Sequence, residues 1–228
     1  GTTNLNNTFR NQAVVNVHGP LGTATNVTEF VPKEELYNVS LDSDTFYSST
    51  LACKVKTDNN PLFAVGDHVI LAVTTGTNTV STYYPMAEVI CEILDITSDG
   101  YLVLDYYSPF DWTGKTVTGT VTKVTPRKNV VVKNLFIDDE IVVSPTYTTD
   151  GQRLTFVSGV AFLYTRGCRA ENIHGKNTKF PVVINRYSHS FNGKNIKVNK
   201  PAIWNGGEGY TVQMIFSNKC ALDGVFGV

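Results

Sequence analysis

The sequence predicts an all-β protein: a small β-module followed by a stack of short paired strands. Three observations carry this. Val leads the apolar residues, Thr and Asn abound and aromatics reach 11%, a mixture that favours strands and polar turns. No window gives a long amphipathic helix; residues 32–37 (PKEELY) would make a turn or two at most. The last hundred residues repeat one pattern four times.

The four repeats align on one polar or glycine residue: Asn134, Asn172, Asn195 and Gly224. Before it, alternate positions are apolar or small, as in Val130/Val132, Cys168/Ala170, Phe191/Gly193 and Cys220/Leu222. After it the phase flips, giving Leu135/Ile137, Ile173/Gly175, Ile196/Val198 and Val225/Gly227. Two period-2 runs joined at one Asn or Gly read as strand, sharp corner, strand, because those residues tolerate a left-handed backbone. The corners lie 38, 23 and 29 residues apart, so a fixed corner is combined with loops of different length. The longest insertion spans 138–157, and another loop, 201–210, precedes the fourth corner.

Hydrophobic residues make up 42% of the 228 and charged residues 17%, enough for a packed core and too few charges for disorder. No apolar run approaches 20 residues, so no membrane span is expected, and no signal-peptide pattern opens the chain. The start at Gly1 without Met suggests a trimmed or engineered terminus. Cys53, Cys91, Cys168 and Cys220 are isolated, without zinc spacing, and read as free core thiols. No cofactor motif is present, His174 and His189 do not define a metal site, and nothing beyond a basic stretch points to nucleic acid. The net charge of −1 hides a split: thirteen acids against three bases over 29–111, and eight bases against one acid over 161–200. The basic half suits a surface that meets an anionic polymer.

Residues 1–29 read as an N-terminal arm or single strand packed outside the chain, with His18 in a turn. The module, 30–125, shows about six short strands: 37–41, 51–55, 63–73, 87–96, 101–106 and 116–124. Gly66-Asp67 turns into a strongly apolar strand, and Asp99-Gly100 marks a hairpin. Residues 126–228 hold the coils. A coil buries its inward columns only against the coils above and below, and the last repeat has no capping element, so the natural chain is expected to continue beyond 228.

The stretches NVVVKNLFID, CRAENI and GKNIKV resemble right-handed parallel β-helix proteins of the pectate-lyase-like superfamily. With Val65-Gly66-Asp67-His68-Val69 ahead of the coils, the chain resembles bacteriophage tail spikes and appendages among them. The resemblance implies an asparagine ladder at Asn134, Asn172 and Asn195, broken at Gly224. It also implies a homotrimer on a virion tail, outside the cell, that meets other phage tail proteins and host envelope polysaccharide. Some such proteins depolymerise that polysaccharide by hydrolysis or elimination.

Hydrolysis needs two carboxylates roughly 5–9 Å apart. Asp138, Asp139, Glu140 and Glu208 are the candidates, with Asp139 and Glu208 preferred, although adjacent acids point to opposite faces of a strand. Elimination needs a base. Counting from the corner gives two outward columns: Lys128, Arg166, His189 and Asn218 six residues before it, and Phe136, His174, Lys197 and Phe226 two after it. Stacked coils would turn each into a stripe, and a basic, aromatic stripe suits acidic sugars. Arg166, His189 and Lys197 are therefore candidate substrate contacts, with Trp204 and Tyr210, which flank Asn205-Gly206-Gly207-Glu208-Gly209 as a stacking platform.

Overall fold

The computed structural model describes residues 13–37, 49–75, 86–138, 158–176, 181–199 and 211–227. In chain order the strands are β1 (Ala13–His18), β2 (Leu21–Tyr37), β3 (Ser49–Thr57), β4 (His68–Thr74), β5 (Met86–Ile96) and β6 (Leu102–Leu104). They continue as β7 (Thr118–Val124), β8 (Arg127–Lys128), β9 (Val131–Asp138), β10 (Ser158–Arg166) and β11 (Arg169–Lys176). The last four are β12 (Val183–His189), β13 (Asn192–Asn199), β14 (Val212–Ile215) and β15 (Ala221–Gly227). The chain divides into two compact units, Gly1–Gly19 with Pro126–Val228, and Pro20–Thr125.

The first unit is a stack of parallel β-helix coils. One sheet runs β1-β10-β12-β14 and the other β15-β13-β11-β9, every neighbouring pair parallel. Asn134, Asn172, Asn195 and Gly224 lie at the same level of the second sheet, with φ of 58°, 53°, 51° and 64°. The corner residue therefore repeats because the backbone there is left-handed in every coil. A second left-handed position, five residues earlier, turns the chain from one sheet to the other at Asn129, Gly167, Ser190 and Lys219. The inward columns meet as expected: Val160, Phe162, Cys168, Ile173, Phe191 and Ile196 are buried in one cluster. Phe162 and Phe191 pack with ring centroids 5.0 Å apart at its centre.

The segment expected to be an outside-packed arm is instead the start of the first coil. β1 pairs with β10 over Ser158–Leu163, and β8 pairs with the same strand at Thr165 and Arg166. β1 and β8 are thus two pieces of one edge strand, and residues 19–126 are inserted between them in sequence. His18 ends β1 rather than sitting in a free turn, its ring edge-on to Tyr164 at 5.5 Å. Sequence periodicity could not show this, because the partner of β1 lies some 145 residues along the chain (Ala13↔Ser158).

The second unit is a closed barrel in the order β2-β3-β6-β5-β4-β7. Two long strands close it by bending. β2 pairs with β7 along its first part and with β3 along the rest, with register shifts between Leu21/Ala24, Val27/Glu29 and Val31/Glu34. The last of these holds Pro32, which cannot donate to a ladder and so sits at a bulge. Residues 32–37 are therefore strand, not the short helical turn their composition allows. The 29/30 boundary drawn from the sequence falls inside β2. β5 bends between Ile93 and Asp95. There the Gly66-Asp67 turn docks, Gly66 N donating to Ile93 O (2.8 Å) and Ile93 N to Asp67 O (2.9 Å). Gly66 and Gly100 carry φ of 84° and 87°, the conformation for which the two turns need glycine. Val55, Leu71, Ile93, Leu104 and Val121 fill the interior, and Trp112 joins them with its Nε1–H bonded to Ser108 Oγ at 2.7 Å. All four cysteines are free. Cys53 is buried among these side chains, which pushes its thiol pKa far up and keeps it neutral. The first strand expected in the module, 37–41, lies outside the described residues except for Tyr37, which ends β2.

Candidate functional site

The register of the coils decides which side chains share a line on the surface. Along the sheet of β9, β11, β13 and β15, Phe136, His174, Lys197 and Phe226 are direct partners. At about 4.8 Å per strand the four span roughly 14 Å. Phe136 is 63% exposed, a value no core requirement explains, and Phe226 is 54% exposed in a strand whose inward Leu222 and Val225 are exposed as well. Lys197 Nζ lies 5.7 Å from the centre of the Phe226 ring. Between Phe136 and Lys197 the His174 ring has its Nε2 buried without a hydrogen-bond partner. The column is a basic and aromatic stripe on an open face.

Its neighbours differ. Lys133, Glu171, Lys194 and Asp223 form a column of alternating charge, so each ion faces an opposite one across the ladder. Glu171 also meets Arg169 at 3.5 Å. Asp138 pairs with Lys176 at 3.0 Å, which turns one of the candidate acids into an ion-pair partner on the next coil. Among the described residues of this sheet, the Phe136–Phe226 column is the one that joins large exposed rings to a lysine.

The second expected stripe is aligned but not open. Lys128 pairs with Arg166, Arg166 with His189, and His189 bridges to Asn218, as the count from the corner required. Lys128 is exposed and Arg166 half-buried, yet His189 is 2% exposed, with its Nδ1 2.9 Å from Ser190 Oγ. Position in the repeat fixed the register of His189 but not its burial, so it is not an outward contact. Asp139, Glu208, Trp204 and Tyr210 lie outside the described residues.

One column escaped the sequence reading. Eight residues before the corner stand Tyr164, Tyr187 and Phe216, all with left-handed backbone, φ 54°, 47° and 53°. Tyr187 stacks on Tyr164 at 5.5 Å and on Phe216 at 5.2 Å. Bulky residues rarely adopt this conformation, so an aromatic there is not a turn signal. The constant spacing of eight was nevertheless present in the sequence. Arg186 adjoins this stack, its guanidinium 5.2 Å from the Tyr187 ring centre and 5.3 Å from that of Phe216.

On the barrel exterior three lysines meet carboxylates. Lys54 meets Glu34 at 3.0 Å, Lys56 meets Glu29 at 3.1 Å, and Lys123 meets Asp67 at 2.6 Å. The Tyr101 hydroxyl and the Lys56 ammonium hold the Glu29 carboxyl below its ordinary value.

Parallel coils with a barrel inserted in the first edge strand define a β-helix protein carrying an open aromatic and basic stripe. Solved structures similar to it are phage tailspike proteins. The Gp54 tailspike of Acinetobacter baumannii bacteriophage AP22, in complex with A. baumannii capsular saccharide, matches with a TM-score of 0.46 and 14% identity over 83% of this chain and 26% of that one. The tailspike protein gp49 from Pseudomonas phage LKA1 matches with a TM-score of 0.36 and 13% identity over 93% of this chain and 38% of that one. The chain thus spans well under half the length of either. No family model matches it, and no curated protein matches it in sequence.

Proposed function

We propose that this chain is part of a phage tail spike that engages host-surface polysaccharide, with the outer face of β9, β11, β13 and β15 as the contact surface. The observation that carries the reading is the stripe Phe136–His174–Lys197–Phe226, aligned by register, with both phenylalanines exposed and His174 and Lys197 half-buried. Flat exposed rings offer their faces to the apolar side of sugar rings, and the adjacent cation suits acidic sugars. The module around Val65-Gly66-Asp67-His68-Val69, by its resemblance to tail spikes, implies the setting: a homotrimer at the virion tail, among other tail proteins, facing the host envelope.

The test is binding of the full-length protein to envelope polysaccharide of its host. The double variant Phe136→Ala/Phe226→Ala should bind at least tenfold more weakly, about 1.4 kcal/mol. Unchanged affinity would remove the stripe from the interface. The same samples, followed for reducing ends and for absorbance of an unsaturated uronate, address a depolymerase. Release of either product would make the spike an enzyme as well as an attachment protein. A solution mass of one chain would contradict the trimer.

A further inference from the structure

We infer that Arg186 is the anchor of an oxyanion site on the coil unit, taking the carboxylate of an acidic sugar. The sugar in this assignment rests on the polysaccharide reading above; the anion does not. Arg186 is only 9% exposed, yet no carboxylate among the described residues pairs with it, and its buried Nε has no hydrogen-bond partner. Burying an unpaired guanidinium is costly, and a desolvated cation–π contact returns only part of that cost. The rings of Tyr187 and Phe216 therefore leave the charge only partly compensated.

Cζ lies 5.2 and 5.3 Å from the two ring centres, and Nε is closed off from solvent. The N–H bonds of a guanidinium lie in its own plane, and its two Nη groups form an end-on pair that receives a carboxylate through two parallel hydrogen bonds. The rings cannot drift to compensate, because both belong to the left-handed stack that begins at Tyr164. Along the ladder the partners of Arg186 are Leu163 and Ile215, which supply no competing polar group and lower the local dielectric.

The test uses the full chain and three small probes: glucuronate, glucose and inorganic phosphate. Calorimetry should show saturable binding of glucuronate and none of glucose. Arg186→Met should weaken glucuronate at least tenfold. Arg186→Lys, which keeps the charge without the planar edge, should weaken it less. Without ligand, Arg186→Met should melt no lower than wild type, since it removes an uncompensated buried charge; the rise in Tm that glucuronate gives wild type should disappear. Equal glucuronate binding by wild type and Arg186→Met, or by neither, overturns the site. Arg186-dependent binding of phosphate in preference to glucuronate overturns the carboxylate. Polysaccharide binding by Phe136→Ala/Phe226→Ala and glucuronate binding by Arg186→Met are read in separate titrations, so failure of the polysaccharide reading is seen apart from failure of this one.

Discussion

Asn195 Nδ2 donates to Asn172 Oδ1 at 2.8 Å, and Asn172 Nδ2 donates onward to Asn134 Oδ1 at 3.0 Å. The same side chain that tolerates φ near +53° at this corner also joins each coil to the next. The two roles separate by mutation. Asn172→Ala should cost about 2–3 kcal/mol, from a left-handed alanine of about 1–2 and lost hydrogen bonding of about 1. Asn172→Gly keeps the backbone and loses only the ladder, so it should cost about 1 kcal/mol. Denaturant midpoints measure both; equal losses would mean that the backbone conformation contributes nothing.

Gly224 ends the ladder although its backbone matches, with φ of 64°. A Cβ there would meet Asn195 N and Phe226 Cε2 at 3.6 Å, ordinary contact distance. Gly224→Asn should extend the ladder by one rung, its Nδ2 reaching Asn195 Oδ1, but the hydrogen bond of about 1 kcal/mol is set against the strain of a side chain at positive φ, so stability should change by less than about 1 kcal/mol. A loss greater than about 1 kcal/mol would show that the fourth coil cannot offer that geometry.

The corner was legible in the sequence because one residue type answers two demands there, backbone and ladder, and because both inward columns flip around it. The aromatic stack was not, since nothing about Tyr164 or Tyr187 alone favours a positive φ; the neighbouring coils impose it. The pairing of β1 was also hidden, because the six residues of Ala13–His18 find their partner only after the barrel has been inserted. For the candidate site, periodicity gave register without exposure. It placed Phe136, Lys197 and His189 correctly in their columns, yet His189 is buried and Phe136 is open. Arg186 was missed because an arginine beside apolar Val183 and Ile184 reads as an ordinary outward residue of β12.

The Glu29, Tyr101 and Lys56 cluster makes the barrel's stability depend on pH at both ends. Tyr101 and Lys56 lower the pKa of Glu29, and Glu29 raises theirs in return. The contribution of a depressed carboxyl is present above its unfolded value and is lost as pH falls through the folded one. A raised phenol or ammonium contributes below its unfolded value and loses this as pH rises through the folded one. Glu29→Gln should therefore melt lower than wild type near neutrality, with the two curves converging in strong acid. Added salt should shrink the gap, since the groups are exposed. A gap of the same size at pH 2 and pH 7 would show that Glu29 acts through packing and not charge.

The alternating column of Lys133, Glu171, Lys194 and Asp223 makes a directional prediction. Glu171 stands between two lysines on adjacent strands and also meets Arg169. Glu171→Lys would set three lysines in a row, with like charges opposite one another across both ladders. Each such pair costs about 0.2–1 kcal/mol, so the variant should lose about 1–2 kcal/mol at low salt. Screening shortens to about 3 Å in 1 M salt, less than the strand spacing, so most of the loss should return there. Glu171→Gln removes the attraction without adding repulsion and should cost under about 1 kcal/mol. Denaturant midpoints of the three proteins at low and high salt decide the matter. A loss in Glu171→Lys that persists in 1 M salt would place the effect in the packing of the lysine stem, and the charge alternation would then carry no stability.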